Sequence, residues 1–149
     1  HWRWLAIGAG IVALALALRQ TAGSVERLAQ DGQGFASLSW KNSRALEAVE
    51  GLPDQTLVYS NRPAALLLLA DRTSYITPTP TDPSTLLPRE NYLDDLNLMR
   101  QRILSGQAVL AFFGVNAPPD SADAAWIHQL TDGLPIYAEF NDGTLFGKP

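Results

Sequence analysis

The stretch Thr56–Pro78, TLVYSNRPAALLLLADRTSYITP, predicts the fold class of this chain. Its first residues, Thr56–Ser60, are typical of a strand, and the apolar run Pro63–Ala70 is typical of a short helix. A second short strand is expected at Ser74–Thr77. A strand, a helix and a second strand in this order indicate a βαβ unit with two parallel strands.

The turn between the first strand and the helix is a candidate binding site, because ligands of open α/β sheets bind beyond the carboxyl ends of the strands. Free N–H groups at the start of the helix, together with nearby arginines, would receive an anion or phosphate. The candidate residues are Ser60, Asn61, Arg62, Arg72 and Asn116. The competing interpretation is that Asn61 caps the helix, Pro63 occupies its first turn and Arg62 is solvated.

Catalytic motifs are absent from the sequence. No phosphate-binding glycine pattern follows the first strand, and Ser60 lacks the flanking glycines of a nucleophile elbow. The chain has no Cys and only two His, His1 and His128, which excludes Cys-based sites and a His-rich metal site. We therefore predict no catalytic residue, no metal ligand and no cofactor in these residues.

Length and charge limit the class of protein. The chain has 149 residues, 46% of them hydrophobic, which suffices for one ordinary core. Its 11 basic and 15 acidic residues give a net charge of -4, and no basic cluster stands out. Because nucleic-acid binding needs a positive surface to meet phosphates, we expect no nucleic-acid partner.

The first residues, HWRWLAIGAGIVALALALRQ, contain an apolar run from Trp4 to Leu18 that is bounded by Arg3 and Arg19. At about 1.5 Å per residue the run gives about 22 Å of helix, somewhat less than the ~30 Å hydrocarbon core. We interpret residues 1–20 as a transmembrane helix; the alternatives are a signal-peptide hydrophobic region and a buried helix of a soluble core. A start on HWRW instead of Met suggests a piece of a longer protein.

Residues 21–39 are predicted to form a membrane-proximal linker with a short helical extension, and residues 40–149 an α/β domain. The further predicted elements are a helix over Trp40–Gly51 capped by Ser39, a helix over Arg89–Ser105, a strand over Gln107–Val115, a helix over Ser121–Thr131 capped by Asp120, a strand over Pro135–Phe140 and a hairpin strand over Thr144–Gly147. This alternation predicts a small three-layer domain. Its sheet should be mainly parallel, in the order 2-1-3-4, with the antiparallel C-terminal hairpin strand at an edge.

The soluble part also has a recognisable layout. It comprises Trp-x-x-Ser at Trp40–Ser43, Leu52-Pro53, TLVYSNRPAAL at Thr56–Leu66, Arg72, a proline after the second strand, Leu-x-Leu-Met at Leu96–Met99, AVLAFF at Ala108–Phe113 and Asp-Gly-Thr-Leu-Phe at Asp142–Phe146. This layout resembles the C-terminal extracytoplasmic region of bacterial polytopic membrane glycosyltransferases of the GT-C type. The family often carries Thr-Gly-Arg where this chain has Ala70-Asp71-Arg72.

The resemblance implies a parent enzyme that transfers a sugar from a polyprenyl-phosphate donor at the outer face of the cell membrane. The catalytic residue and the metal or donor-phosphate ligands of that enzyme would lie between earlier membrane helices. This chain would be the non-catalytic last membrane helix and extracytoplasmic domain. The domain would cap the active site, brace the membrane bundle or help to bind an acceptor.

The partners implied are the lipid bilayer, through residues 1–20, other transmembrane helices of the parent chain, and a lipid-linked sugar or glycan acceptor. Arg3 at the start of the apolar run agrees with a domain on the extracytoplasmic side. Two alternatives remain open. One is a single-pass membrane-anchored binding module, and the other is a small α/β enzyme that binds a phosphorylated ligand.

Overall fold

The computed structural model describes Trp2, residues 34–114 and residues 121–148. Two compact units divide between Asn42 and Ser43. The first contains a short 3-10 turn, Gly34–Ala36, and helix α1 (Leu38–Lys41). Within the described ranges, no helix is long and apolar enough to cross a membrane. Apart from Trp2, the predicted transmembrane helix over residues 1–20 lies outside those ranges.

The second unit, which begins at Ser43, alternates helices and strands. Its elements are α2 (Arg44–Glu50), β1 (Leu57–Ser60), α3 (Pro63–Ala70), β2 (Tyr75–Ile76), α4 (Tyr92–Leu104), β3 (Ala108–Phe113), α5 (Ala122–Thr131), β4 (Ile136–Phe140) and β5 (Gly143–Gly147). The predicted α/β class is confirmed. The helix predicted at Pro63–Ala70 has the observed bounds.

The five strands form one mixed sheet in the order β2-β1-β3-β5-β4. Strand β1 pairs in parallel with both β2 and β3, as the βαβ pattern predicts. Strand β5 pairs antiparallel with β3 on one side and with β4 on the other. The sheet is therefore parallel in its first half and antiparallel in its second.

The predicted position of the hairpin strand is wrong, because β5 lies inside the sheet and β4 forms the edge. The side chains account for this order. In β5, Leu145 is buried, and Gly143 and Gly147 let the backbone approach β3 closely. In β4, the neighbouring residues Ile136 and Tyr137 are both exposed, as a strand at the edge of the sheet allows.

The core lies on both faces of β3, whose six residues are all buried. On one face, β3 contributes Ala108, Leu110 and Phe112 to a cluster with α4 and α5. Helix α4 buries one face, whose residues follow the 3.6-residue helical period: Tyr92, Leu96, Met99 and Ile103. Helix α2 contacts the sheet at β3, β4 and β5 and also packs against α3.

The structure differs from the prediction of one helix over Trp40–Gly51. Two separate helices are present, and Ser43, not Ser39, is the N-cap of α2. The Ser43 hydroxyl accepts a 3.0 Å hydrogen bond from the backbone N–H of Leu46, which satisfies a donor in the first turn. Gly51, the predicted end of the helix, stands at the C-cap.

Helix α5 also begins differently from the prediction. Its N-cap is Ser121, whose hydroxyl accepts a 3.1 Å bond from the N–H of Ala124. Asp120, the predicted cap, lies outside the described residues. In both helices a serine hydroxyl one position before the first helical residue provides the cap.

Candidate functional site

The turn after β1 is built around a buried serine. Ser60 ends the strand with 0% of its surface exposed, and its hydroxyl accepts a 3.0 Å bond from the N–H of Arg62. The Ser60 carbonyl accepts a 3.0 Å bond from the N–H of Thr77. The hydroxyl of Ser60 therefore holds the turn in place, and its carbonyl holds the end of β2.

Asn61 joins the turn to the central strand. Its side-chain N–H donates a 2.8 Å bond to the Phe113 carbonyl, and its side-chain oxygen accepts a 2.9 Å bond from the Phe113 N–H. The amide thus occupies the position of one further strand residue and continues the β1–β3 pairing past Ser60. The prediction that Asn61 caps α3 is wrong, because this amide already has two backbone partners across the sheet.

Arg62 is the N-cap of α3 and gives no side-chain capping bond. The Arg62 side chain is exposed, as the competing interpretation of this turn predicts. Its carbonyl accepts the N–H groups of Ala65 and Leu66, its own N–H bonds Ser60, and Pro63 has no N–H to offer. Most of the amides that would receive an anion are thereby bonded within the protein.

Arg72 lies at the opposite end of β1 from Ser60. Its guanidinium donates hydrogen bonds to the carbonyls of Leu52, Pro53 and Thr56, all before the strand begins. The nearest carboxylate oxygen is that of the fully exposed Asp54, at 3.8 Å. The structure therefore groups Ser60, Asn61 and Arg62 but does not bring Arg72 beside them.

Arg72 instead borders a polar cleft of about 420 Å³ at the amino end of the parallel strands. The cleft is lined by Asp54, Thr56, Leu57, Val58, Asp71, Arg72, Thr73, Ser74 and Tyr75. The side-chain oxygen of Ser74 is buried there and, within the described chain, has no hydrogen-bond partner. Tyr75 is partly exposed and its ring packs 5.3 Å from that of Tyr59.

The remaining sequence-predicted residue, Asn116, lies outside the described residues. Just before it, the N–H of Gly114 donates a 3.0 Å bond to the carbonyl of Asp142. The carboxylate of Asp142 accepts a 2.5 Å bond from the hydroxyl of Ser43. The carboxyl end of β3, the hairpin turn and the start of α2 therefore meet at one place.

The loop from Pro78 to Pro88, termed the proline loop, follows β2 at the same edge of the sheet as Ser60. The Asp82 carboxylate accepts bonds from the N–H groups of Ser84, at 2.8 Å, and Thr85, at 3.0 Å. The Thr85 and Ser84 N–H groups lower the pKa of Asp82 below its usual range. An Asx turn of this kind is signalled by Asp-Pro-Ser-Thr in the sequence.

Other polar side chains of the described domain brace its helices. The Tyr92 hydroxyl donates a 2.9 Å bond to the Gln129 side chain, and burial raises the pKa of Tyr92. The Trp126 indole N–H donates a 3.0 Å bond to the Pro78 carbonyl. In the ranges that the structure describes, no three His, Cys, Asp or Glu side chains form a group that could hold a metal.

Comparison with known proteins identifies no family. No family model, curated protein or solved structure matches this chain. The resemblance to membrane glycosyltransferases therefore stays a prediction from the residue pattern of Trp40–Phe146.

Proposed function

We propose that this chain is the non-catalytic C-terminal part of a membrane glycosyltransferase. Residues 1–20 form its last transmembrane helix, and the domain from Ser43 onward lies on the extracytoplasmic side. There it caps the active site or helps to bind a lipid-linked sugar or glycan acceptor. The donor is a polyprenyl-phosphate sugar, as the resemblance implies.

The observation that carries the non-catalytic role is the bonding of Asn61. Both hydrogen-bonding groups of its amide are used to join the end of β1 to Phe113. Ser60, beside it, is fully buried with its hydroxyl bonded to the turn. These side chains stabilise the domain and are poorly placed to serve as a nucleophile or as a strong anion site.

The test is a sugar-transfer assay on membranes that contain the full-length gene product. A radiolabelled polyprenyl-phosphate sugar serves as the donor. We expect Ser60→Ala to keep the rate of transfer within a few-fold of the unchanged protein. A loss of transfer by Ser60→Ala in protein that is still folded and inserted would assign Ser60 a catalytic role and contradict the proposal.

The coding sequence before His1 gives a second, independent test. A polytopic glycosyltransferase requires several hydrophobic segments of about 20 residues before the last membrane helix. A short, non-hydrophobic leader before His1 would contradict the polytopic proposal.

One observation favours a second candidate, a single-pass anchored module that binds another protein. Helix α3 is apolar on all sides, yet Leu67 and Leu68 are 51% and 65% exposed. A helix apolar all round is normally covered, so this surface fits a partner. The two candidates differ in the coding sequence before His1, since the anchored module needs only the one apolar segment.

A further inference from the structure

The polar cleft at the amino end of the parallel strands has the size of a small-ligand site. Its volume is about 420 Å³, and ligand pockets of proteins measure about 300–1,000 Å³. Most of the side chains that line it are carboxylates, hydroxyls, a guanidinium and a phenol: Asp54, Asp71, Thr56, Thr73, Ser74, Arg72 and Tyr75. Groups of this kind recognise a ligand that has several hydroxyl groups of its own.

Arg72 forms part of the wall of the cleft and is poorly placed to bind an anion. Its guanidinium donates to three backbone carbonyls that precede β1, and its side chain is only 11% exposed. The carboxylates of Asp54 and Asp71 border the same space, and both residues are exposed. Because these carboxylates would repel a phosphate, the lining favours a neutral ligand.

Asp71 presents its carboxylate to the cleft from an unusual backbone position. It is the C-cap of α3, and its φ of +47° lies in the left-handed region that favours glycine. Aspartate tolerates this region better than most residues, but glycine adopts it without a steric cost. The side chain is exposed, so its two carboxylate oxygens can accept hydrogen bonds from a ligand.

Ser74 adds a hydroxyl that lacks a partner. Among the described residues, its side-chain oxygen is buried without a hydrogen bond, which is unfavourable and rare in native proteins. Ser74 lines the cleft, so a rotation about its Cα–Cβ bond would turn the hydroxyl toward a ligand there. A ligand hydroxyl both donates and accepts, and would therefore satisfy this group.

Tyr75 supplies an aromatic surface beside these polar groups. One side of its ring is packed against Tyr59, with ring centroids 5.3 Å apart and planes 31° apart, yet the residue is 54% exposed. Tyr59 is itself held by Arg102, which donates a 2.8 Å bond to its hydroxyl. The face of an aromatic ring is partially negative and attracts the C–H groups of a sugar ring.

We propose that the polar cleft binds a neutral sugar unit of the glycan acceptor. This inference rests on the proposed function, in which the domain helps to bind an acceptor. The Asp71 carboxylate accepts hydrogen bonds from sugar hydroxyls, Ser74 bonds a further hydroxyl, and the Tyr75 ring packs against the C–H face. The donor is not the occupant, because its sugar carries a phosphate that the two carboxylates of the cleft would repel.

The test measures the binding of defined sugars to the complete 149-residue chain by saturation-transfer difference NMR. The chain is held in phosphocholine micelles, because detergents with sugar headgroups would compete for the cleft. The probes are the methyl α-glycosides of D-mannose, D-glucose and D-galactose, which represent the end of a glycan. The 1-phosphates of the same sugars represent the donor.

We expect at least one methyl glycoside to bind saturably, with a dissociation constant on the order of 1 mM. The 1-phosphate of the same sugar should bind about tenfold more weakly. Absence of saturable binding by all three methyl glycosides overturns the inference. Tighter binding of the 1-phosphate also overturns it, because the site would then suit the donor.

Two substitutions place the binding in the cleft. Asp71→Gly removes the carboxylate and suits the φ of +47°, so the fold is kept, and we expect about tenfold weaker binding. Tyr75→Ala should weaken binding by a similar factor. Tyr137→Ala is the matched control, because Tyr137 is a 49% exposed tyrosine on β4, at the opposite edge of the sheet. Equal losses in Tyr75→Ala and Tyr137→Ala, or unchanged binding in Asp71→Gly, overturn the assignment.

The coding sequence before His1 separates this inference from the function on which it rests. If several hydrophobic segments precede His1 and no glycoside binds, the sugar site alone is wrong. If a glycoside binds the cleft and only a short, non-hydrophobic leader precedes His1, the glycosyltransferase proposal is wrong and the sugar site stands.

Discussion

At the scale of single residues, Asn61 joins the turn after β1 to the end of β3. Its partner Phe113 is 52 positions away in sequence. The Asn61 side-chain N–H and oxygen both bond the Phe113 backbone. Removing the side-chain amide therefore leaves the partly buried Phe113 N–H and carbonyl without these partners. An unpaired buried polar group is more costly than the mean net gain of a hydrogen bond.

We predict that Asn61→Ser lowers the free energy of unfolding by about 1–3 kcal/mol, and Asn61→Asp by a similar amount. Serine and aspartate are as good N-caps as asparagine, so a capping role would leave stability nearly unchanged. Urea denaturation followed by circular dichroism measures the difference. Arg62→Ala is the control, expected to change stability by less than about 0.5 kcal/mol.

Gly143 is the second decisive single residue, since the hairpin strand can lie beside β3 only if its first residue has no side chain. A Cβ there would stand 2.8 Å from the Phe112 carbonyl oxygen and 3.0 Å from the Ala45 Cβ. We predict that Gly143→Ala lowers the free energy of unfolding by about 1–3 kcal/mol.

Gly51→Ala is the matched control for Gly143→Ala. Its φ is -74°, and an added Cβ would meet atoms no closer than 3.7 Å. This change should be neutral or should raise the free energy of unfolding by about 0.4–1 kcal/mol, because alanine lowers the conformational entropy of the unfolded chain. Equal destabilisation by both substitutions would contradict the close-approach explanation.

At the scale of elements, helix α3 combines a buried and an exposed apolar side. Leu66 is fully buried, whereas Leu68 is mostly exposed. We predict that Leu66→Ala lowers the free energy of unfolding by about 2–5 kcal/mol, because a cavity opens in the core. Leu68→Ala should change it by less than about 0.5 kcal/mol in thermal or urea unfolding. A large loss from Leu68→Ala would mean that α3 packs differently.

The proline loop makes a pH-dependent contribution to stability through Asp82. Its folded-state pKa is below the ordinary value of 3.8, because the N–H groups of Thr85 and Ser84 favour the carboxylate. The unfolded chain then binds more protons, so this contribution is present above pH 3.8 and is lost as the pH falls through the lowered folded pKa.

In Asp82→Asn the side-chain oxygen still accepts both bonds but does not titrate. We therefore predict a shallower fall in stability below pH 4 in Asp82→Asn than in the unchanged chain, as measured by urea midpoints across an acid series. An equal fall of the urea midpoint with pH in the two proteins would show that ionisation of Asp82 does not contribute to stability.

The helices show which features the sequence predicts well. The buried face of α4 follows from Tyr92, Leu96, Met99 and Ile103, because helical periodicity is a local property. The bounds of α3 follow from Pro63 and the apolar run after it. Each of these features depends on residues within a few turns of one another.

The features that sequence reasoning missed depend on distant partners. No residue near Asn61 in the sequence indicates that the Asn61 side chain bonds the backbone of Phe113 and does not cap the helix. The inner position of β5 depends on the fit of Gly143 against Phe112, and the placement of Arg72 depends on three carbonyls that precede β1. The sequence contains Leu86 and Leu87, but it does not show that they are exposed. Their exposure depends on the Asx turn of Asp82 and on the bridge between Thr81 and Pro88.

At the scale of the whole molecule, the proposed function has one requirement. The apolar run Trp4–Leu18 must anchor the chain, and the domain from Ser43 onward must lie outside the cytoplasm. The proposed glycosyltransferase domain at the outer face of the membrane depends on this placement. The orientation is therefore the central claim.

The most direct measurement is the reaction of Ser105→Cys with a membrane-impermeant maleimide in intact bacterial cells that express the chain. The chain has no other Cys, and position 105 is exposed, so a modified band reports this site alone. We predict full modification before lysis, with the protein in the membrane fraction. Modification only after lysis, or recovery of the folded chain outside the membrane fraction, would contradict the account.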